Sequence, residues 1–168
     1  MRKLKFIFVV LFFASTIAKA QSNSMFKALF IYNFTKNIEW PDSYNPSNFV
    51  IGIYGNSEII EELNKISQRK KANNKTIVVE KFNTLQTISQ VNILYIPITK
   101  SGQIKEILNH VKNKPILVIT ESPGLTQKGS CINFVLVKGD QKFEISKPNI
   151  YNQGLKVSDQ LVELGISM

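Results

Sequence analysis

Four short apolar runs, separated by stretches of helical period, constrain this chain more than anything else in it. Phe49-Val50-Ile51-Gly52-Ile53-Tyr54 and residues 76–82, 91–96 and 116–120 are strand-length and rich in β-branched and aromatic side chains. Between the first two runs, Ile59, Ile60, Leu63 and Ile66 recur at helical spacing over 58–67, with Ser57 placed to cap that helix. Between the last two, Ile104, Ile107, Leu108 and Val111 do the same over 103–112, with Ser101 in the capping position. A short helix or turn over 85–89 joins the second run to the third. Strands apolar throughout and joined by helical crossovers build a mainly parallel sheet covered on both faces. The expected fold is therefore α/β, a three-layer sandwich around a flavodoxin- or receiver-like sheet.

The chain changes character at both ends of this core. Residues 131–137 and 142–145 flank Gly139-Asp140 as a β-hairpin. Pro148 then suits the first turn of a short helix that Gly154 interrupts, and Ser158 caps a last helix through Leu164. Ahead of the first strand, Phe26, Phe30 and Phe34 recur every four residues, with Leu29 and Ile38 in the same stripe and Ile31 and Tyr32 widening it. That is a helix buried on more than one side, with Ser24 as its cap and Trp40-Pro41 as its stop.

Arg2, Lys3 and Lys5, an apolar run over 6–17 and Ala18-Lys19-Ala20 form a secretory signal peptide over residues 1–20. The apolar run is too short to span a bilayer comfortably. Residues 21–168 then form one exported domain in the periplasm, with no membrane insertion after cleavage. Residues 1–20 carry four cations and no acid. Their loss leaves 17 cations against 12 acids, so the net charge falls from +9 to +5. The remaining charge is dispersed apart from Arg69-Lys70-Lys71, too short a patch for nucleic acid. A single cysteine, Cys131, sits in a predicted strand; it reads as a small buried apolar residue, with an intermolecular disulfide as the alternative.

Catalytic constellations are missing. A receiver needs acidic residues after its first strand and an acceptor aspartate after a central one. Here the strand ends read Gly55-Asn56-Ser57, Pro97-Ile98-Thr99 and Glu121-Ser122-Pro123. One acid does not make a metal site. One histidine, His110, and one cysteine exclude zinc spacing motifs. No nucleotide-loop or nucleophile-elbow pattern occurs. No catalytic residue, metal or cofactor is expected. One small-molecule site suggests itself: Gly55, Asn56 and Ser57 follow a strand and open a helix, where backbone N–H groups suit an anion, and Thr99 and Ser101 line the same edge in a receiver-like strand order.

Several segments, in order, resemble a known family. Lys27-Ala28-Leu29-Phe30-Ile31-Tyr32-Asn33-Phe34-Thr35-Lys36 with Glu39-Trp40-Pro41 looks like the opening signature of the YfiR family of small periplasmic proteins. Phe49-Val50-Ile51-Gly52-Ile53-Tyr54-Gly55 resembles its first strand, Gly129-Ser130-Cys131-Ile132-Asn133-Phe134 and Phe143-Glu144-Ile145 its late strands, and Gly154-Leu155-Lys156-Val157-Ser158 its closing segment. The lone cysteine departs from that pattern, because disulfides help stabilise some members. The resemblance implies a non-enzymatic repressor that binds the periplasmic domain of an inner-membrane signalling protein, a diguanylate cyclase, and holds it inactive. It implies a homodimer and a partner-binding apolar patch on the late strands and C-terminal segment, matched here by Phe143, Tyr151 and Leu155. Core packing is the ordinary alternative for Phe143, whereas Tyr151 and Leu155 flank Gly154 and are expected to be exposed. Two other classes fit the sequence: a sensor module binding a small solute in a closed cavity, and a structural accessory of an envelope complex.

Overall fold

A computed structural model describes residues 23–168. The signal peptide expected over 1–20 lies outside the described residues. Helix α1 covers residues 23–37 and leads into the two-residue strand β1 (Ile38–Glu39). The core then alternates: β2 (Phe49–Tyr54), α2 (Ile59–Ser67), β3 (Lys71–Ala72), β4 (Lys75–Phe82), a 3₁₀ turn (Leu85–Thr87) and β5 (Ile93–Ile96). A 3₁₀ segment (Ile98–Gln103) runs into α3 (Ile104–His110), followed by β6 (Leu117–Thr120). The hairpin β7 (Ile132–Val137) and β8 (Asp140–Ile145), α4 (Lys147–Asn152), β9 (Lys156–Val157), α5 (Asp159–Leu164) and β10 (Ile166–Ser167) complete the chain.

Eight strands pair in the order β10-β8-β7-β6-β5-β2-β4-β3. The central run β4-β2-β5-β6-β7 is parallel throughout, and only β3 on β4 and β8 on β7 run antiparallel. This is the flavodoxin-like order, with its reversal of winding direction between β2 and β5. The crossover from β2 moves one way along the sheet and that from β5 the other, so right-handed connections put α2 and α3 on opposite faces. All of β2, β5 and β6 is buried, as strands covered on both faces must be.

Helix α1 caps one half of the sheet. Phe143 lies 5.4 and 5.3 Å, between ring centroids, from Phe30 and Phe34, and Phe34 also stacks on Phe134. Ala28 and Ile31 are buried, but Leu29 is 43% exposed, so the buried arc is narrower than the sequence predicts. Ser24 lies inside the helix rather than at its cap, and the helix ends at residue 37, before Pro41. There β1 pairs with β9, and Ser158 donates its backbone N–H to the Asn37 carbonyl at 2.9 Å, clasping α1 to the C-terminal segment. Ser158 also caps α5, accepting from the Leu161 N–H at 3.2 Å.

Two local expectations are corrected. Ser101 caps nothing: its hydroxyl donates to the Ile98 carbonyl at 2.8 Å inside the 3₁₀ segment, and α3 begins three residues later. The hairpin turn is Lys138-Gly139, both at positive φ (54° and 89°), so Asp140 already belongs to β8. Two central residues in left-handed geometry match the twist of the flanking strands.

Candidate functional site

The carboxyl edge of a sheet wound this way is where side chains from several elements meet, and here they meet at Glu121, the first residue after β6. One oxygen, Oε1, accepts the Ile98 N–H at 2.8 Å; the other, Oε2, accepts the Tyr95 hydroxyl at 2.7 Å and forms an ion pair with Lys27 of α1. The Lys27 and Glu121 side chains are only 18% and 12% exposed. Burial, and then the adjacent carboxylate, hold the Tyr95 phenol far above its usual range, so it serves as a permanent donor. The first turns of α1 are thereby fastened across the ends of β5 and β6.

Beyond that network the hairpin outruns the sheet. β6 pairs with β7 only at Ile119↔Ile132 and Thr120↔Asn133, so residues 134–137 project past its end. Along them runs an open groove of about 580 Å³, with Lys27, Glu121, Phe134, Val135, Val137 and Ile166 among its lining residues. Ile98 and Leu136 also line it and are 59% and 63% exposed. Strand alternation explains Leu136: Ile132, Phe134 and Leu136 share the face that α1 covers, and Leu136 lies beyond the covered part. Opposite it stands Gln141, which supplies no apolar partner.

The other face of the hairpin is held by a buried polar network. Asn133 Nδ2 donates to Glu144 at 2.9 Å, and Asn133 Oδ1 accepts from the Thr120 hydroxyl at 2.8 Å and the Ser122 N–H at 3.0 Å. Thr126 donates to the same Glu144 oxygen at 3.1 Å. The Asn133 amide is thus used at both its donor and its acceptor, so the network fixes the angle at which β7 and β8 leave the sheet.

The residues expected at a partner surface separate. Phe143 is 3% exposed, in the aromatic core behind the groove. Leu155 is 1% exposed, contrary to the expectation from its neighbour Gly154: the glycine turns the chain at φ +70° and delivers Leu155 inward. Tyr151 is 50% exposed, on α4, and does not line the groove. The late strands do carry an exposed apolar face, but through Leu136 and Ile166, joined by Ile98 from the 3₁₀ segment. No periodicity marks Ile98, and exposure of Leu136 depends on where β6 and α1 stop.

The five residues expected to receive an anion do lie along one edge, because β2 and β5 are neighbours. Three of them, Gly55, Ser57 and Ser101, are engaged within the protein. The Gly55 N–H donates to the Phe82 carbonyl at 2.8 Å, and Ser57 Oγ accepts from the Ile59 N–H at 3.4 Å. The Lys100 stem lies 3.1 Å from where a Cβ on Gly55 would stand, with its ammonium 5.1 Å from the Tyr54 ring centroid. Asn56 and Thr99 point to solvent. His110 Nε2 lies 3.3 Å from the Ile88 carbonyl and ties α3 to the neighbouring 3₁₀ turn. Among the described residues, no three His, Cys, Asp or Glu side chains converge on a metal-sized point, and no helix is long and apolar enough to cross a membrane.

A family model described as YfiR/HmsC-like matches residues 24–166. No curated protein matches the chain.

Proposed function

The chain belongs to the YfiR/HmsC-like family, whose members are periplasmic regulators in cyclic di-GMP signalling, and we propose that it is a repressor of a membrane-bound diguanylate cyclase. On this reading it binds the periplasmic domain of that enzyme and favours the inactive one of its two states. Such control needs differential affinity for two conformations of the partner and no bond chemistry. The observation that supports it is the groove beside residues 134–137. Large apolar side chains held open at a rigid strand end suit a protein partner better than an enclosed solute. The residues carrying the contact in this proposal are Ile98, Leu136 and Ile166. Tyr151, on α4, remains a second proposed contact. A signal peptide over 1–20 and a homodimer complete the reading.

Affinity capture from membranes of the same organism tests it, using tagged protein beginning at residue 21. The wild type is expected to retain an inner-membrane signalling protein and Leu136→Asp to lose it, both with the same melting temperature, because Leu136 is 63% exposed. Leu155→Asp cannot serve as the surface variant. It would bury a carboxylate at a 1% exposed position and report on folding instead. Retention of the same membrane protein by Leu136→Asp at wild-type yield would remove the groove from the account.

A further inference from the structure

A second groove lies away from the sheet edge, between α1 and α2. It encloses about 240 Å³, and Met25, Leu29 and Ile66 form its apolar lining above the fully buried Ala28. Met25 and Leu29 are 53% and 43% exposed, one helical turn apart on α1. The α2 side of the groove ends in Arg69 and Lys70, both exposed and without an ion-pair partner among the described residues. Lys65, also on the rim, is already paired with Glu61 and Glu62 at 3.2 and 2.8 Å. The basic run is held in place. Arg69 and Lys70 donate their backbone N–H groups to the Ile66 carbonyl at 3.0 and 2.9 Å, and Asn73 and Asn74, both at positive φ, close the β3–β4 turn behind them.

We propose that this groove docks an acidic amphipathic helix of a partner protein, apolar stripe against Met25 and Leu29 and carboxylates against Arg69 and Lys70. Glu62 also lines the groove but is paired with Lys65, so the charge left on the α2 side is that of Arg69 and Lys70, and an apolar wall beside it is complementary to such a helix. An anionic membrane surface shares the charge but fits less well. The apolar side chains here line a recess instead of protruding, which suits an inserted helix stripe better than a flat lipid surface. The proposal concerns a surface separate from the sheet-edge groove and stands or falls without it.

The test uses the whole protein from residue 21 and a fluorescein-labelled model helix of leucines at i, i+3, i+4 and i+7 flanked by glutamates. Its glutamine-for-glutamate counterpart and phosphatidylglycerol vesicles form the other arms. Anisotropy is expected to show binding of the acidic helix, with at least tenfold loss in Arg69→Glu/Lys70→Glu and in Leu29→Asp. The glutamine helix is expected to bind at least tenfold more weakly. Charge reversal at Lys112 and Lys128, far from this groove, is expected to leave the affinity unchanged. Circular dichroism melts of every variant should match the wild type, since all the altered side chains are at least partly exposed. No binding, equal loss on reversing Lys112 and Lys128, or binding of vesicles but not of the helix would each overturn the proposal.

Discussion

Glu121 gathers three donors from three segments: the Lys27 ammonium from α1, the Tyr95 hydroxyl from β5 and the Ile98 N–H from the 3₁₀ segment. Glu121→Ala removes the acceptor shared by all three and strands Lys27 and Tyr95 at a largely buried place, and a loss of about 3 kcal/mol in urea unfolding is expected. Because Glu121→Gln keeps the acceptor oxygen, it should lose less. Equal stability of Glu121→Ala and wild type would show that the network does not hold α1. Cys131 gives a second test at this scale. It is fully buried, and burial pushes its thiol up to about 12, so the reactive thiolate is scarce at neutral pH. Iodoacetamide should leave the native protein unmodified over hours and label it in guanidinium; labelling of the native state within minutes would contradict the burial. Burial of Cys131 could be anticipated from its place at the head of a predicted strand. The role of Glu121 could not, because its partners lie 23, 26 and 94 residues away.

Among the elements, those with a strong period were the legible ones. α2 and the β2, β4, β5 and β6 strands fall within two residues of their expected places, since a continuous apolar run or a four-residue stripe encodes burial directly. The two-residue strands β1, β3, β9 and β10 carry no such signal, because only their tertiary partners define them. β10 shows how such a piece is placed. Gly165 packs so closely that an added Cβ would stand 2.6 Å from Phe143 Cε2 and 2.7 Å from Ile145 Cγ2. Gly165→Ala must therefore push α5 and β10 off β8. A loss of about 2 kcal/mol is expected by thermal unfolding, from overpacking. Hydrogen exchange should rise first at the Met168 N–H, which donates to the Ile145 carbonyl at 3.0 Å. Unchanged stability would mean that the tail is not seated there.

For the whole molecule, alternation of strand and helix revealed the three layers, and the sheet order sharpened them into flavodoxin-like winding. The groove was only partly legible. The late strands were the right region, but the apolar side chains that stay open are those lying beyond the ends of β6 and α1, and sequence does not show where a neighbour stops. Phe143 and Leu155, expected at a partner surface, belong to the buried core instead. The central claim is that contact at the sheet-edge groove carries regulation. Intracellular cyclic di-GMP measures it directly, in cells lacking this chain and complemented with wild type or with Ile98→Asp/Leu136→Asp at equal periplasmic abundance. The account predicts that wild type lowers the nucleotide and the double variant leaves it at the level of the uncomplemented cells. Equal lowering by both proteins would contradict it.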